Sequence, residues 1–140
     1  MRKIVYETPS GGLCIVSPAA PSFELAAWMR LPQDAINPRW VDESEIPSDR
    51  AFRGALKHDL TYDMNKARGI HKEKLRTLRK PLLESLDQEY MRADEDGDNA
   101  KKAEIKARKQ ALRDVTADPA IASAQDVATL AAVIPDCLNT

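Results

Sequence analysis

Aromatic side chains are scarce, with two Phe, two Trp and three Tyr in 140 residues. A core must therefore come mainly from aliphatic positions, and their periodicity becomes the main guide to structure. Cysteine is nearly absent. Cys14 and Cys137 lie far apart, neither in a CxxC nor in a Cys/His cluster. That argues against a structural zinc site or a disulfide scaffold and reads as two reduced, partly buried thiols. No apolar run approaches the ~18 residues of a membrane span, and residues 1–7 contain no long apolar stretch of a secretion signal. A dominant sign of charge is missing as well. There are 21 Lys and Arg against 22 Asp and Glu, a formal net charge of −1, so the molecule as a whole is not drawn to nucleic acid or to an anionic membrane.

Chemical motifs are equally sparse. Gly11-Gly12 belongs to a turn, not to a phosphate-binding loop, and no nucleophile elbow or Ser/His/Asp pattern is present. His58 and His71 have no second histidine four residues away, so metalloprotease spacing is absent. Glu43 and Glu45 read as solvated carboxylates. In residues 94–99, Asp94, Asp96 and Asp98 fit positions 1, 3 and 5 of a calcium loop. Asn99, however, stands where that loop needs Gly, and Ile105 where it needs a bidentate Glu. The segment reads as a solvated acidic turn, with Asp98 or Asn99 capping the next helix. No catalytic, cofactor-binding or metal-ligating set is expected, and the chain reads as non-enzymatic.

What is present is patterning. Two short β-prone runs, residues 3–7 and 13–16, flank the turn cluster Thr8-Pro9-Ser10-Gly11-Gly12 and predict a hairpin. Ser22 is the expected N-cap of a short helix over 23–31 that Pro32 stops. A third strand is expected at Arg39-Trp40-Val41-Asp42. These elements make a small β/α unit over residues 1–47. Residues 48–140 read as helical, beginning with a short helix over 50–57 capped by Ser48 or Asp49.

The clearest element follows. Asp63 is a candidate N-cap, and Met64, Ala67, His71, Leu75, Leu78, Leu82, Leu86, Tyr90 and Ala93 recur at steps of three or four. That predicts a helix over about 63–93 with one buried stripe, and Pro81 predicts a bend or break near 77–81. After a turn at Gly97, a second helix over about 100–115 carries Ala103, Ile105, Ala107, Ala111, Leu112 and Val115 as its apolar set. Asp118-Pro119 marks another helix start, and Ser123-Ala124-Gln125-Asp126 resembles a capping box for a last helix that Pro135 ends. The fold class is α+β: a β-hairpin/β-α unit, a long antiparallel helical hairpin, then short helices.

Charge is segregated within this pattern. Residues 66–80 carry Lys66, Arg68, Lys72, Lys74, Arg76, Arg79 and Lys80 against Glu73 alone. Residues 84–98 are acidic, and the second helix is basic again. Folding back at Gly97 sets the second helix against the acidic half of the first, so that opposite charges flank the apolar seam. The basic half then lacks an acidic neighbour. Lys66, Lys72, Lys74, Arg76, Arg79 and Lys80 are the candidate partner-docking residues; an internal joint with Asp42, Glu43 and Glu45 is the alternative. Nucleic acid is disfavoured as the partner, because aromatics are not interleaved and no helix-turn-helix companion is visible.

Several blocks together carry a resemblance. They are Ile4-Val5-Tyr6 with Pro9-Ser10-Gly11-Gly12, Val41-Asp42-Glu43-Ser44-Glu45-Ile46-Pro47, Asp49-Arg50-Ala51-Phe52-Arg53, Asp63-Met64-Asn65-Lys66-Ala67-Arg68-Gly69-Ile70-His71 and Arg108-Lys109-Gln110-Ala111-Leu112-Arg113-Asp114-Val115. The chain resembles a family of small tail-region proteins of tailed bacteriophages and prophages. Its C-terminal part is similar to the ends of phage tail-fibre assembly proteins. It departs from that pattern at Gly54-Ala55-Leu56, where the family often has Asn-Ala-Trp, and at Ile134-Pro135, where it often has Trp-Pro. The resemblance implies a phage origin and a place in virion assembly, and the leading expectation is a virion structural protein of the tail or adsorption apparatus, acting on other phage structural proteins or on copies of itself. It would reside in the host cytoplasm during assembly and in the particle if structural. The alternatives are a tail-fibre assembly chaperone that leaves the particle and a nucleic-acid-binding regulator. The resemblance carries no catalytic residue and no cofactor.

Overall fold

The computed structural model describes residues 1–139 and has the α+β class. Two compact units divide at Ala67/Arg68.

In the N-terminal unit, strands β1 (Arg2–Glu7), β2 (Leu13–Val16) and β3 (Ile36–Asp42) form an antiparallel sheet in the order β2-β1-β3. The predicted hairpin closes through Thr8, whose N–H donates to Gly12 O at 2.8 Å and whose carbonyl accepts from Gly11 N at 2.9 Å. Gly11 has φ +87°, a backbone region a side chain would strain. Ile4 and Val5 are neighbours in the central strand and point to opposite faces, yet both are fully buried. Both faces of β1 are therefore covered. Val5 packs with Val41 and Ile46, fringed by Leu13, Ile15 and Leu60. On the Ile4 side, Trp40 stacks on Trp28 of helix α1 (Glu24–Met29) at 5.5 Å between centroids. Arg2 lies 4.7 Å over the Trp40 ring and pairs with Glu24 at 2.6 Å. Its guanidinium donates to the Glu24 carboxylate and holds it below the ordinary range, while Arg2 itself is raised. Pro38 lies within β3, which an outer strand tolerates.

Two local expectations fail here. Ser22 caps nothing: a 3-10 turn, Pro21–Phe23, leads into α1, and no side chain caps either element. The helix expected over 50–57 is a 3-10 turn, Arg53–Ala55. Asp49 Oδ1 instead accepts from Ala51 N in a local turn, and Leu56 is extended and bridged to Tyr62. The unit also reaches beyond residue 47. Arg39 donates to His58 O and His58 Nε2 donates to Asn37 O, each at 2.7 Å, which pins the 56–62 loop to β3. Because a carbonyl only accepts, Nε2 carries the proton.

Helix α2 (Met64–Glu95) starts at Asp63, whose Oδ1 accepts from Asn65 N at 3.0 Å and Lys66 N at 3.2 Å. The division between the units falls in its first turn. Of the bend or break expected near 77–81, the break does not occur: one helix runs through Pro81. An interior proline costs about 3 kcal/mol; burial of Leu75 on one side and Leu86 on the other offsets it.

In the C-terminal unit, α2 ends in a glycine cap. Asp98 N donates to Ala93 O, Gly97 N donates to Asp94 O, and Gly97 has φ +69°. Asp98 then caps helix α3 (Asn99–Arg113) through Lys101 N. The seam buries Leu86, Ala93, Ile105 and Leu112, with Leu82, Leu83, Tyr90, Cys137 and Leu138 around it. It is narrower than expected: Ala103, Ala107 and Ala111 are exposed, and so is Leu78 at 42%. After a 3-10 turn, Asp114–Ala117, helix α4 (Pro119–Ser123) begins at Asp118-Pro119 as read from sequence. Helix α5 (Val127–Ala131) is capped by Asp126 through Thr129 N, not by Ser123, which closes α4. Ile121, Ala124 and Leu130 are buried.

Candidate partner-docking surface

The expected charge pairing across the helical hairpin is present. Asp94 meets Lys102 at 2.6 Å, Glu89 meets Arg108 at 3.7 Å and Asp87 meets Lys109 at 2.5 Å. Partners descend α2 as they ascend α3, so the pairs fix an antiparallel register. The Lys102 ammonium donates to Asp94 and holds that carboxyl below its ordinary range, while Lys102 is raised. These groups face solvent, and their role is register more than stability. Lys102, Lys106 and Lys109 also surround the Tyr90 ring at 5.7, 5.8 and 5.7 Å.

The basic half of α2 is organised differently from the expectation. Arg68 donates from Nε to Ile121 O at 3.2 Å and from an NH2 group to Ala124 O at 3.0 Å. His71, buried on the stripe, donates from Nε2 to Val133 O at 2.8 Å. Arg79 donates to Leu112 O at 3.3 Å and Arg113 O at 2.9 Å. Each anchor meets carbonyls at or just beyond the end of α4, α5 or α3. A helix leaves its last carbonyls without α-helical donors, and a cation there also answers the helix dipole. Neither α3 nor α4 is followed by glycine, unlike α2. Their ends draw on side chains of α2 instead.

The six candidate docking residues therefore stand in different local settings. Arg79 is spent inside the unit. Arg76 pairs with Glu73 one turn away. Lys66 lies in the N-terminal unit, in the first turn of α2. Lys72, Lys74 and Lys80 have no ion pair among the described residues. Lys72, Arg76 and Lys80 follow at four-residue steps along one side of α2, and Lys74 lies off that line. The N-terminal acids are engaged within their own unit. Asp42 and Glu45 form a local capping box, and Glu43 pairs with Lys3 at 3.0 Å.

The anchoring role of Arg68 is not legible in the basic run. Nor is a second surface. Phe23, Leu25 and Met29 are 55, 70 and 77% exposed at and just before α1. Leu25 and Met29 stand one turn apart on the same side of the helix. Their signal in the sequence is the presence of Phe23, Leu25 and Met29 within the nine residues 23–31. Cys14 and Cys137 are partly buried, and Cys137 packs against the hairpin core. No helix among the described residues is long and apolar enough to cross a membrane. Compared with known proteins, the chain matches no family model, no curated protein and no solved structure.

Proposed function

We propose that this chain is a non-enzymatic structural protein of a tailed-phage particle, placed at the tail or adsorption apparatus and working through protein–protein contacts. The observation that carries the reading is the resemblance of its sequence blocks, from Ile4-Val5-Tyr6 to the segment ending at Val115, to small phage tail-region proteins. Two surface features agree with it. The side chains of Phe23, Leu25 and Met29 offer an apolar contact area, and Lys72 and Lys80 lie along one side of α2 without ion pairs among the described residues. Each unit thus offers its own contact: an acidic partner, either another virion protein or a second copy, would gain steering from the lysines of the C-terminal unit.

Mass spectrometry of purified virions tests the placement. Recovery of the chain in stoichiometric amounts supports a structural role. Its presence in infected-cell lysate but not in particles supports the tail-fibre assembly chaperone instead. DNA binding whose affinity falls steeply with salt would favour the nucleic-acid regulator.

A further inference from the structure

A cavity of about 540 Å³ lies in the N-terminal unit, lined by Lys3, Ser17, Glu43, Ser48, Arg50 and Arg53 among others. That volume falls within the ~300–1,000 Å³ of small-molecule sites. Three cations face one carboxylate, and that carboxylate is engaged by Lys3 at 3.0 Å. Two positive charges, on Arg50 and Arg53, are left without an anionic partner among the described residues. Arg53 donates from an NH2 group to Pro47 O at 2.9 Å, which fixes the guanidinium against the loop. Its Nε–H is buried and has no acceptor among the described residues. A guanidinium group is shaped to bind two oxygens side by side.

We propose that this cavity binds an oxyanion, the phosphate or carboxylate group of a ligand, with the guanidinium groups of Arg53 and Arg50 as the two cations and the Ser17 and Ser48 hydroxyls as further donors. Hydroxyls donate to either anion. The site goes beyond the proposed function and stands whether or not the chain is a virion protein.

The test is an NMR titration of the full-length protein at constant ionic strength, following backbone amides and the Arg53 Nε–H signal. The probes are inorganic phosphate, acetate and chloride. Saturable shifts of Arg53 Nε–H and of the Ser17 and Ser48 amides are expected with phosphate or acetate but not with chloride. Saturation by phosphate alone assigns a phosphate-bearing ligand; saturation by acetate as well assigns a carboxylate. Arg53→Met should weaken binding about tenfold or more. Arg50→Gln, at an exposed position that leaves the fold intact, should weaken it severalfold, and Arg113→Met in the other unit should change nothing. Shifts that grow linearly without saturating, appear equally with chloride, or persist in both Arg53→Met and Arg50→Gln would overturn the proposal.

Discussion

In the N-terminal unit, Ile4 and Val5 are buried on opposite faces of one strand, and each face is closed by a different distant segment, α1 or the loop running through Leu60. In the C-terminal unit, burial repeats along two helices, and the covering element is the next helix in the chain. The first arrangement depends on non-local coverage by irregular chain. The second depends on periodicity and on charges that match across a turn. Sequence patterns report the second kind of order far better than the first.

A substitution at one seam position should separate the two most sharply. Leu75→Asp places a charge at a fully buried site. It should cost more than the ~2–5 kcal/mol of a Leu→Ala change there, seen as loss of the helical circular dichroism transition. Leu78→Asp, three residues on and 42% exposed, should leave the melting curve within about 0.5 kcal/mol of the parent. Equal effects at both positions would erase the assigned face of α2.

Ile4→Ala probes the doubly covered strand. Removing its buried side chain should cost about 2–5 kcal/mol in denaturant unfolding, whereas Leu25→Ala on the outside of α1 should cost little. A neutral Ile4→Ala would mean that α1 does not cover the sheet.

Capping offers a finer contrast. Asp98→Ala removes the acceptor for Lys101 N and should cost about 1 kcal/mol. Ser22→Ala and Ser123→Ala should each stay near zero, because neither hydroxyl caps a helix start.

The smallest expected effect is in pH dependence. Asp94 and Asp126 are both lowered from the ordinary 3.8, by hydrogen bonds from Lys102 and from the Thr129 backbone N–H. A carboxyl lowered by folding contributes stability that is fully present above its unfolded value and is lost as pH falls through its folded value. The melting temperature should therefore be flat from about pH 7 to 5 and fall below about pH 4. Asp94→Asn should make that acid fall shallower, and an unchanged acid limb would remove Asp94 from the account.

These contrasts show what was legible in the sequence and why. The hairpin of β1 and β2, the Asp63 cap, the turn at Gly97, the antiparallel charge pairing and the Asp118-Pro119 start are each set by neighbours in sequence or by a simple repeat. The failures came where distant contacts decided. Residues 50–57 look helical until Leu56 finds Tyr62. The step from Leu75 to Leu82 can pass through Leu78 or Arg79, and apolarity alone chooses Leu78. The structure chooses Arg79, whose aliphatic stem can lie along the seam while its guanidinium reaches the end of α3. The same preference for grouping charges made residues 66–80 look like one docking surface. In the folded unit, Arg68 and Arg79 serve the ends of α4 and α3.

Thermal melting of the isolated protein separates the α2 cations that anchor helix ends from those that face solvent. Arg68→Met and Arg79→Met should each destabilise by about 1–3 kcal/mol, the range for losing hydrogen bonds from a charged donor. The double reversal Lys72→Glu and Lys80→Glu should leave the midpoint unchanged. The opposite result, unchanged melting in both arginine variants and a lowered midpoint in the lysine reversal, would contradict the account.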